Sequence, residues 1–325
     1  MAFSNPSRWL AGLGACLFAA AASGQQSWPN RPIQVVVPFA PGGSIDIGVR
    51  IIAPSLSTRL GQQIVVMNRP GGGATIGMNV VAKAAPDGYT FGAASFAFAA
   101  NPFVLGDKMP YDSLKDLEPV TMVGRTPMIM LVNAEMPAKS VAEFIRHVKA
   151  RPGELNYGSV GIASSGHLIT ALFESMAGVK MTHVPFTSGP LGPLVANQIQ
   201  LQFSPIPSAL GFVKSGKLFA IGITSLKPDP AMPGVAPVSE TVPGFEAYEW
   251  IGLVAPAGTP KDIINRLQQE VVKTLEEPEV KSRLAGGGMQ TVGGTAEEMG
   301  AFIRKEMGVW SKVAKQALAT EAKER

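Results

Sequence analysis

An apolar run, Ile33-Gln34-Val35-Val36-Val37, stops at Pro38 and turns through Phe39-Ala40-Pro41-Gly42-Gly43 into Ser44-Ile45-Asp46-Ile47-Gly48-Val49. The β-branched run reads as a strand, the Pro/Gly stretch as a tight corner, and the segment from Ser44 as helix. A strand that feeds a helix through so short a loop is the βα unit of a sheet covered by helices. Two glycines let the backbone approach a ligand closely, and the first turn of the helix has N–H groups without intrahelical partners. Those donors and the positive end of the helix dipole converge on one spot, so the corner suits an anion as well as it suits a plain βα turn.

The pattern repeats along the chain. The first helix runs to Leu60 and stops at Gly61, a residue suited to the left-handed turn after a helix. Residues 64–67 form the next strand, Asn68-Arg69-Pro70-Gly71-Gly72-Gly73 the next corner, 74–84 a helix, and 89–94 a third strand. This βαβαβ order implies a parallel sheet with helices on both faces, where ligands sit beyond the carboxyl ends of the strands. Three corners, 39–44, 68–73 and 95–101, are expected to converge. A second unit opens near Arg125-Thr126-Pro127, with a polar, glycine-rich corner at 160–166 ahead of a helix from His167. Thr259-Pro260 starts a long amphipathic helix with Thr259 as N-cap, and Thr295 caps the final helix. With no further strand-rich run, the C-terminal part is expected to fold back on the first unit. The expected fold is α/β with two lobes, 25–125 with 247–325 and 126–246, each a mostly parallel sheet flanked by helices, joined by two hinge crossings.

Residues 1–24 read as an address. Arg8 precedes an apolar run over 9–22, and the small residues Ala20, Ala22 and Gly24 then offer a signal-peptide cleavage site. The sole cysteine, Cys16, falls inside this run, so the mature chain is expected to carry neither disulfide nor thiol chemistry. Leu13-Gly14-Ala15-Cys16 also resembles a lipoprotein box, although the apolar run continues past the cysteine. Hydrophobic residues make up 46% and charged residues 16%, which argues against long disordered tails. A net charge of +4 without any Lys/Arg run suits small anions and argues against a nucleic-acid partner.

A specific resemblance runs through the mature chain. Trp28-Pro29-Asn30-Arg31-Pro32-Ile33, Val37-Pro38-Phe39-Ala40-Pro41-Gly42-Gly43-Ser44-Ile45-Asp46, Asn68 to Gly73, Ala85-Pro86-Asp87-Gly88-Tyr89-Thr90, Asn156-Tyr157-Gly158-Ser159, His183-Val184-Pro185-Phe186 and Val254-Ala255-Pro256-Ala257-Gly258-Thr259-Pro260 occur in order. The sequence resembles the Bug-type (TctC-like) solute-binding proteins of tripartite tricarboxylate transporters. The resemblance implies a periplasmic binding protein of the two-lobed type II fold that closes over a small carboxylate and delivers it to integral membrane transporter subunits, as a monomer and without a cofactor or metal. It places one carboxylate on the first corner, Phe39, Ala40, Pro41, Gly42, Gly43 and Ser44, held largely by backbone N–H groups. It assigns the facing polar corner to Ser159, Gly161, Ser164, Ser165 and His167. Ser95, Phe96, Phe98, Asn101, Phe186 and Ser204 complete the candidate ligand set.

Departures from the family pattern bear on the solute. Where relatives carry polar residues after the third strand, this chain has Ser95-Phe96-Ala97-Phe98-Ala99-Ala100-Asn101-Pro102. If the stretch is extended, Phe96 and Phe98 point to one side. That side is either the cleft, which would favour an aromatic acid such as terephthalate, or the core. In Gln200-Leu201-Gln202-Phe203-Ser204 the family's frequent acidic residue is absent, which disfavours an amino acid. Asp46, in the first helical turn, would repel an anion if it faced the cleft, so it is expected to turn away and brace the loop.

Enzyme signatures fail on their own terms. Gly211 to Lys217 fits the opening of a P-loop, but Leu218 stands where Ser or Thr should hold magnesium, and the stretch precedes a strand. Ile76 occupies the last glycine position of a dinucleotide-binding pattern, and no nucleophile elbow surrounds Ser159, Ser164 or Ser165. His147, His167 and His183 are too widely spaced for a local metal motif. No catalytic residue is assigned. The readings left are a transport solute-binding protein and a periplasmic ligand sensor that presents its closed form to a signalling receptor. A secreted hydrolase or lyase is the third, and it lacks a convergent acid/base pair.

Overall fold

A computed structural model describes residues 28–162, 164–186 and 189–324. The signal peptide read over 1–24, with Cys16, lies outside the described residues, as does Ala163 of the polar corner.

The chain alternates strands and helices in the order β1 Ile33–Val37, α1 Ser44–Leu60, β2 Ile64–Asn68, α2 Thr75–Ala82, β3 Thr90–Ser95, α3 Phe96–Leu105 and β4 Leu117–Asn133. There follow α4 Val141–Lys149, β5 Asn156–Ser159, α5 Ser165–Ala177, β6 Thr182–Pro185, α6 Leu191–Val195, β7 Leu201–Pro205, α7 Ile206–Lys214 and β8 Leu218–Ile223. The last part holds β9 Tyr248–Pro256, α8 Lys261–Glu276, α9 Pro278–Gly286, β10 Gln290–Gly293 and α10 Ala296–Glu324.

The strands lie in the order β2-β1-β3-β9-β4-β7-β5-β6, with β8 and β10 also paired to β4. Pairing is parallel for β1 with β2 and β3, and for β5 with β6 and β7. Among the described residues every antiparallel pairing of named strands involves β4 or β9. The mixed sheet is thus parallel toward its outer strands, where helical crossovers connect neighbours, and antiparallel at the two strands that carry the chain between its halves. β4 pairs with β9 from Leu117 to Pro127 and with β7 from Met128 onward, so one unbroken strand serves both halves.

Period-two alternation sends side chains to opposite layers. In β1, Ile33, Val35 and Val37 pack with Val49, Ile52 and Leu56 of α1, whereas Val36 joins the layer of Met78, Phe96 and Trp310. In β4, Met128, Met130 and Val132 face that second layer, and Ile129 and Leu131 face Leu194, Ile206 and Leu218. Helix α1 fits because Ile45, Val49, Ile52, Leu56 and Leu60 form one buried stripe, and Gly61 takes the left-handed turn that ends it.

Three local expectations change. Thr259 does not cap α8: its hydroxyl donates to the Pro256 carbonyl at 2.7 Å, and the helix starts at Lys261. Residues 290–293 form a strand, β10, because β4 offers them an antiparallel partner that no local pattern reveals. The stretch from Phe96 is helix, so Phe96 and Phe98 lie about 200° apart around it and do not share a side. Thr295 does cap α10, its Oγ1 accepting from Glu298 N–H at 3.2 Å while Glu298 accepts from Thr295 N–H at 2.8 Å, a reciprocal box.

Candidate functional site

The 38–43 corner is built by a buried acid. Asp46, 2% exposed, accepts from Gly42 N–H at 2.9 Å, from Arg50 Nε at 2.9 Å and from Asn68 Nδ2 at 2.8 Å. Asn68 Nδ2 also donates to the Phe39 carbonyl at 3.0 Å, and its Oδ1 accepts from Arg50 at 2.8 Å. Burial raises the Asp46 pKa, but the hydrogen bonds from Arg50, Gly42 and Asn68 outweigh it, and the carboxyl lies below its ordinary range. Gly42 has φ +83, a left-handed conformation that aims its N–H back at Asp46 and that other residues adopt only with strain. Asp46 therefore turns from the cleft and braces the corner, and no side chain caps the N-terminus of α1.

That uncapped helix start opens onto a cavity of about 530 Å³. From the first corner come Phe39, Gly43, Ser44 and Ile45; from the second, Gly72 and Gly73. Helix α3 adds Phe96, Asn101, Val104 and Leu105. Across from them stand Val160, Ile162, Ser164 and Ser165 at the start of α5, with Pro205 at the end of β7 and Glu249 on β9. Two helix N-termini thus open on one space. Ser164 accepts from His167 N–H at 3.4 Å, which leaves the earlier N–H groups of α5 for the cavity. Asn101 is held by donating from Nδ2 to the Gly73 carbonyl at 2.7 Å. Among the described residues the lining includes no lysine and no arginine.

Of the residues singled out in the sequence, Phe39, Gly43, Ser44, Phe96, Asn101, Ser164 and Ser165 line this cavity. Gly42 lines a neighbouring chamber of about 350 Å³ on the other side of α1, which shares Gly43, Ser44 and Pro205 with it. Ala40 and Pro41 are exposed in the loop. Ser95 is buried at the N-cap of α3, and Gly161 carries the turn whose carbonyl accepts from Ser164 Oγ at 2.7 Å. Phe98 is buried against Tyr111, ring centroids 6.4 Å apart, away from the cavity. Phe186 packs with Leu194 and Ile199, and Ser204 is buried within β7.

Ser159, His167 and His183 form a packed cluster beneath the polar corner. The His167 and His183 rings stack with centroids 4.1 Å apart, Tyr157 lies 5.0 Å from His183, and His183 Nε2 and Ser159 Oγ are 2.7 Å apart. Ser159 and His167 are each 2% exposed or less, and neither lines the cavity. The cluster shapes the corner from below.

The residue that sequence reading missed is Glu249. It is half-buried and keeps an edge on the cavity. Burial pushes its pKa up; a hydrogen bond from Ser165 opposes this, and the nearby Glu306 adds to it. Glu306 is raised as well, chiefly by burial, although Trp310 Nε1 donates to it at 2.9 Å.

The profile of the tripartite tricarboxylate transporter family receptor matches residues 49–318. BugT of Bordetella pertussis (strain Tohama I) is 35% identical over 326 aligned positions, covering 96% of this chain and 98% of BugT. R. palustris Rpa4515, solved with adipate, is 34% identical with a TM-score of 0.78 over 89% of this chain and 98% of its own. MatC from Rhodopseudomonas palustris, solved with bound malate, is 32% identical with a TM-score of 0.75 over 88% of this chain and 99% of its own.

Proposed function

The chain belongs to the tripartite tricarboxylate transporter receptor family, and on that premise we propose that it is a periplasmic solute-binding protein for a carboxylate with an apolar body. The observation that carries this reading is the pair of helix N-termini, at Gly43-Ser44 and Ser164-Ser165, open on one cavity. A carboxylate leaving water must regain its hydrogen bonds, and helix starts supply them without a fixed counter-charge, which keeps capture reversible.

The walls between the helix starts are largely apolar: Phe39, Ile45, Phe96, Val104 and Leu105. A solute with a carboxylate at each end and a hydrocarbon middle matches this layout. Adipate, bound by the relative Rpa4515, is the linear form of that class; terephthalate is the aromatic form, for which Phe96 offers a ring. We read 25–125 with 247–325 as one lobe and 126–246 as the other, both moving about the crossings in β4 and before β9. Val160, 63% exposed, and Ile162, 37% exposed, stand on the far rim, and closure would bury them against the solute. In this reading the protein makes and breaks no bond, acts as a monomer, is exported by the segment at 1–24, and presents its closed form to membrane transporter subunits.

Isothermal titration against adipate, terephthalate, benzoate, malate and glutamate tests the assignment. Adipate or terephthalate is expected to bind most tightly. Binding of glutamate alone, or conversion of any of the five acids by the purified protein, would sink it.

A further inference from the structure

We infer that Glu249 meets the solute as a neutral carboxylic acid and donates its proton to a carboxylate oxygen, so that this side chain sets what the cleft accepts. The inference rests on the carboxylate reading above and adds the chemistry of one wall.

The cavity poses a conflict. Both helix starts favour negative charge, yet the charged residue type in the lining is an acid, and among the described residues no lysine or arginine lines the space to offset it. An ionised Glu249 would repel the anion that Gly43-Ser44 and Ser164-Ser165 attract. A protonated one becomes a donor beside the backbone N–H groups, the serine hydroxyls and the Asn101 amide.

The surroundings decide between the two forms. Glu249 sits on β9 opposite Thr126 of β4, with Ser165 of α5 hydrogen-bonded to it. From α10 it faces Glu306, which is fixed by Trp310. Both carboxyls are half-buried, and negative charge on Glu306 disfavours a second charge on Glu249. Among the described residues the nearby cations face other acids, Lys305 acting on Glu306 as well as on Glu246. Arg125 of β4 lies 4.0 Å from Glu246 and 4.2 Å from the Tyr248 ring, and Lys305 of α10 lies 3.9 Å from Glu246. From α5 the titratable neighbour is His167, which is stacked on His183. Helix α3 presents Phe96 and Asn101, both uncharged. Burial and the Glu306 charge both push the Glu249 proton affinity up, in line with the geometry.

Capture is then linked to a proton. The solute end that meets Glu249 must be an acceptor, and an ammonium group there has no anion to pair with. Raising the pH strips the donor and replaces it with a repelling charge, so affinity falls as pH rises through the Glu249 pKa, by up to about tenfold per pH unit for a single linked proton.

The test is adipate titrated into the full mature chain between about pH 6 and about pH 9, for the wild type and for Glu249→Gln, whose amide donates at every pH. The wild type is expected to lose affinity at least about tenfold over this range, and Glu249→Gln to lose the pH slope. A parallel readout needs no variant: calorimetry in two buffers of different ionisation heat should show proton uptake on binding to the wild type near neutral pH. A pH-independent wild-type affinity without proton uptake, or a Glu249→Gln variant that keeps the wild-type slope, overturns this inference alone. Affinity that rises with pH, or preference for an amino acid that Glu249→Gln abolishes, shows an ionised Glu249 and overturns it as well. If neither adipate nor any other acid of the panel binds at any pH, the carboxylate reading falls and this inference with it.

Discussion

Thr224 is bonded twice to Met128: its Oγ1 accepts from Met128 N–H at 2.9 Å, and its own N–H donates to the Met128 carbonyl at 2.9 Å. The same hydroxyl donates to the Ala247 carbonyl at 2.5 Å, and Ala247 N–H returns to the Thr224 carbonyl at 3.2 Å. Met128 is where β4 changes partners and Ala247 is the residue before β9, so one fully buried side chain ties the two crossings together.

Thr224→Val keeps the shape and removes the hydroxyl, leaving buried polar backbone short of a partner. It should cost about 1–3 kcal/mol of stability, read as a lower urea midpoint, and it should change adipate affinity because both crossings loosen. Thr224→Ser should recover most of the loss. A variant with wild-type midpoint and affinity would remove Thr224 from the hinge.

Asp46→Asn should cost roughly 1.5–3 kcal/mol, the range for hydrogen bonds to a charged group, while leaving the rank order of bound acids unchanged. The pH dependence has a defined sign. The folded pKa lies below the unfolded value of 3.8, so the stabilisation is present above that value and is lost as pH falls through the folded pKa. Wild type should therefore lose more stability than Asp46→Asn between about pH 5 and about pH 3. A changed ligand preference would place Asp46 in the site instead.

The two phenylalanines of α3 should separate. Phe96 lines the cavity and packs edge-on against Trp310 at 4.5 Å, whereas Phe98 is stacked on Tyr111. Phe96→Leu should weaken terephthalate more than adipate, by about two- to twelvefold, from the roughly 0.5–1.5 kcal/mol of an aromatic pair. Phe98→Leu should lower the thermal midpoint without shifting that ratio. Equal effects of both substitutions on the ratio would count against the aromatic reading.

Glu306→Gln tests the half-buried acid near Glu249. A carboxyl whose folded pKa is raised contributes stability below its unfolded value of 4.5 and loses it as pH rises through the folded pKa. Wild type should thus lose stability between about pH 5 and about pH 8, and the variant, with no charge to bury, should lose less. Thermal melts across that range check the sign; a steeper loss in the variant would contradict it.

How much of this could be read in advance follows the range of the forces involved. The first corner was legible because its determinants are local: Gly42, Asp46 and the α1 stripe lie within a few residues of one another. The brace from Asp46 followed from charge alone. Phe96 and Phe98 were ambiguous because a short apolar run has no clear period, and tertiary packing on Trp310 selects helix there. β10 is four residues between glycines and exists through its pairing with β4. His167 and His183 meet because β5 and β6 set Tyr157 beside His183, a register that spacing does not reveal. Glu249 was invisible for the same reason, since neither Thr126, Ser165 nor Glu306 is near it in sequence.

Glu249 lies two residues past Ala247, on the strand that leads out of the crossing. In the closure proposed above, a solute resting against it pushes on the pivot and not on a remote wall, so that occupancy and bending are a single event and no relay has to carry news of a full cleft to the part that moves.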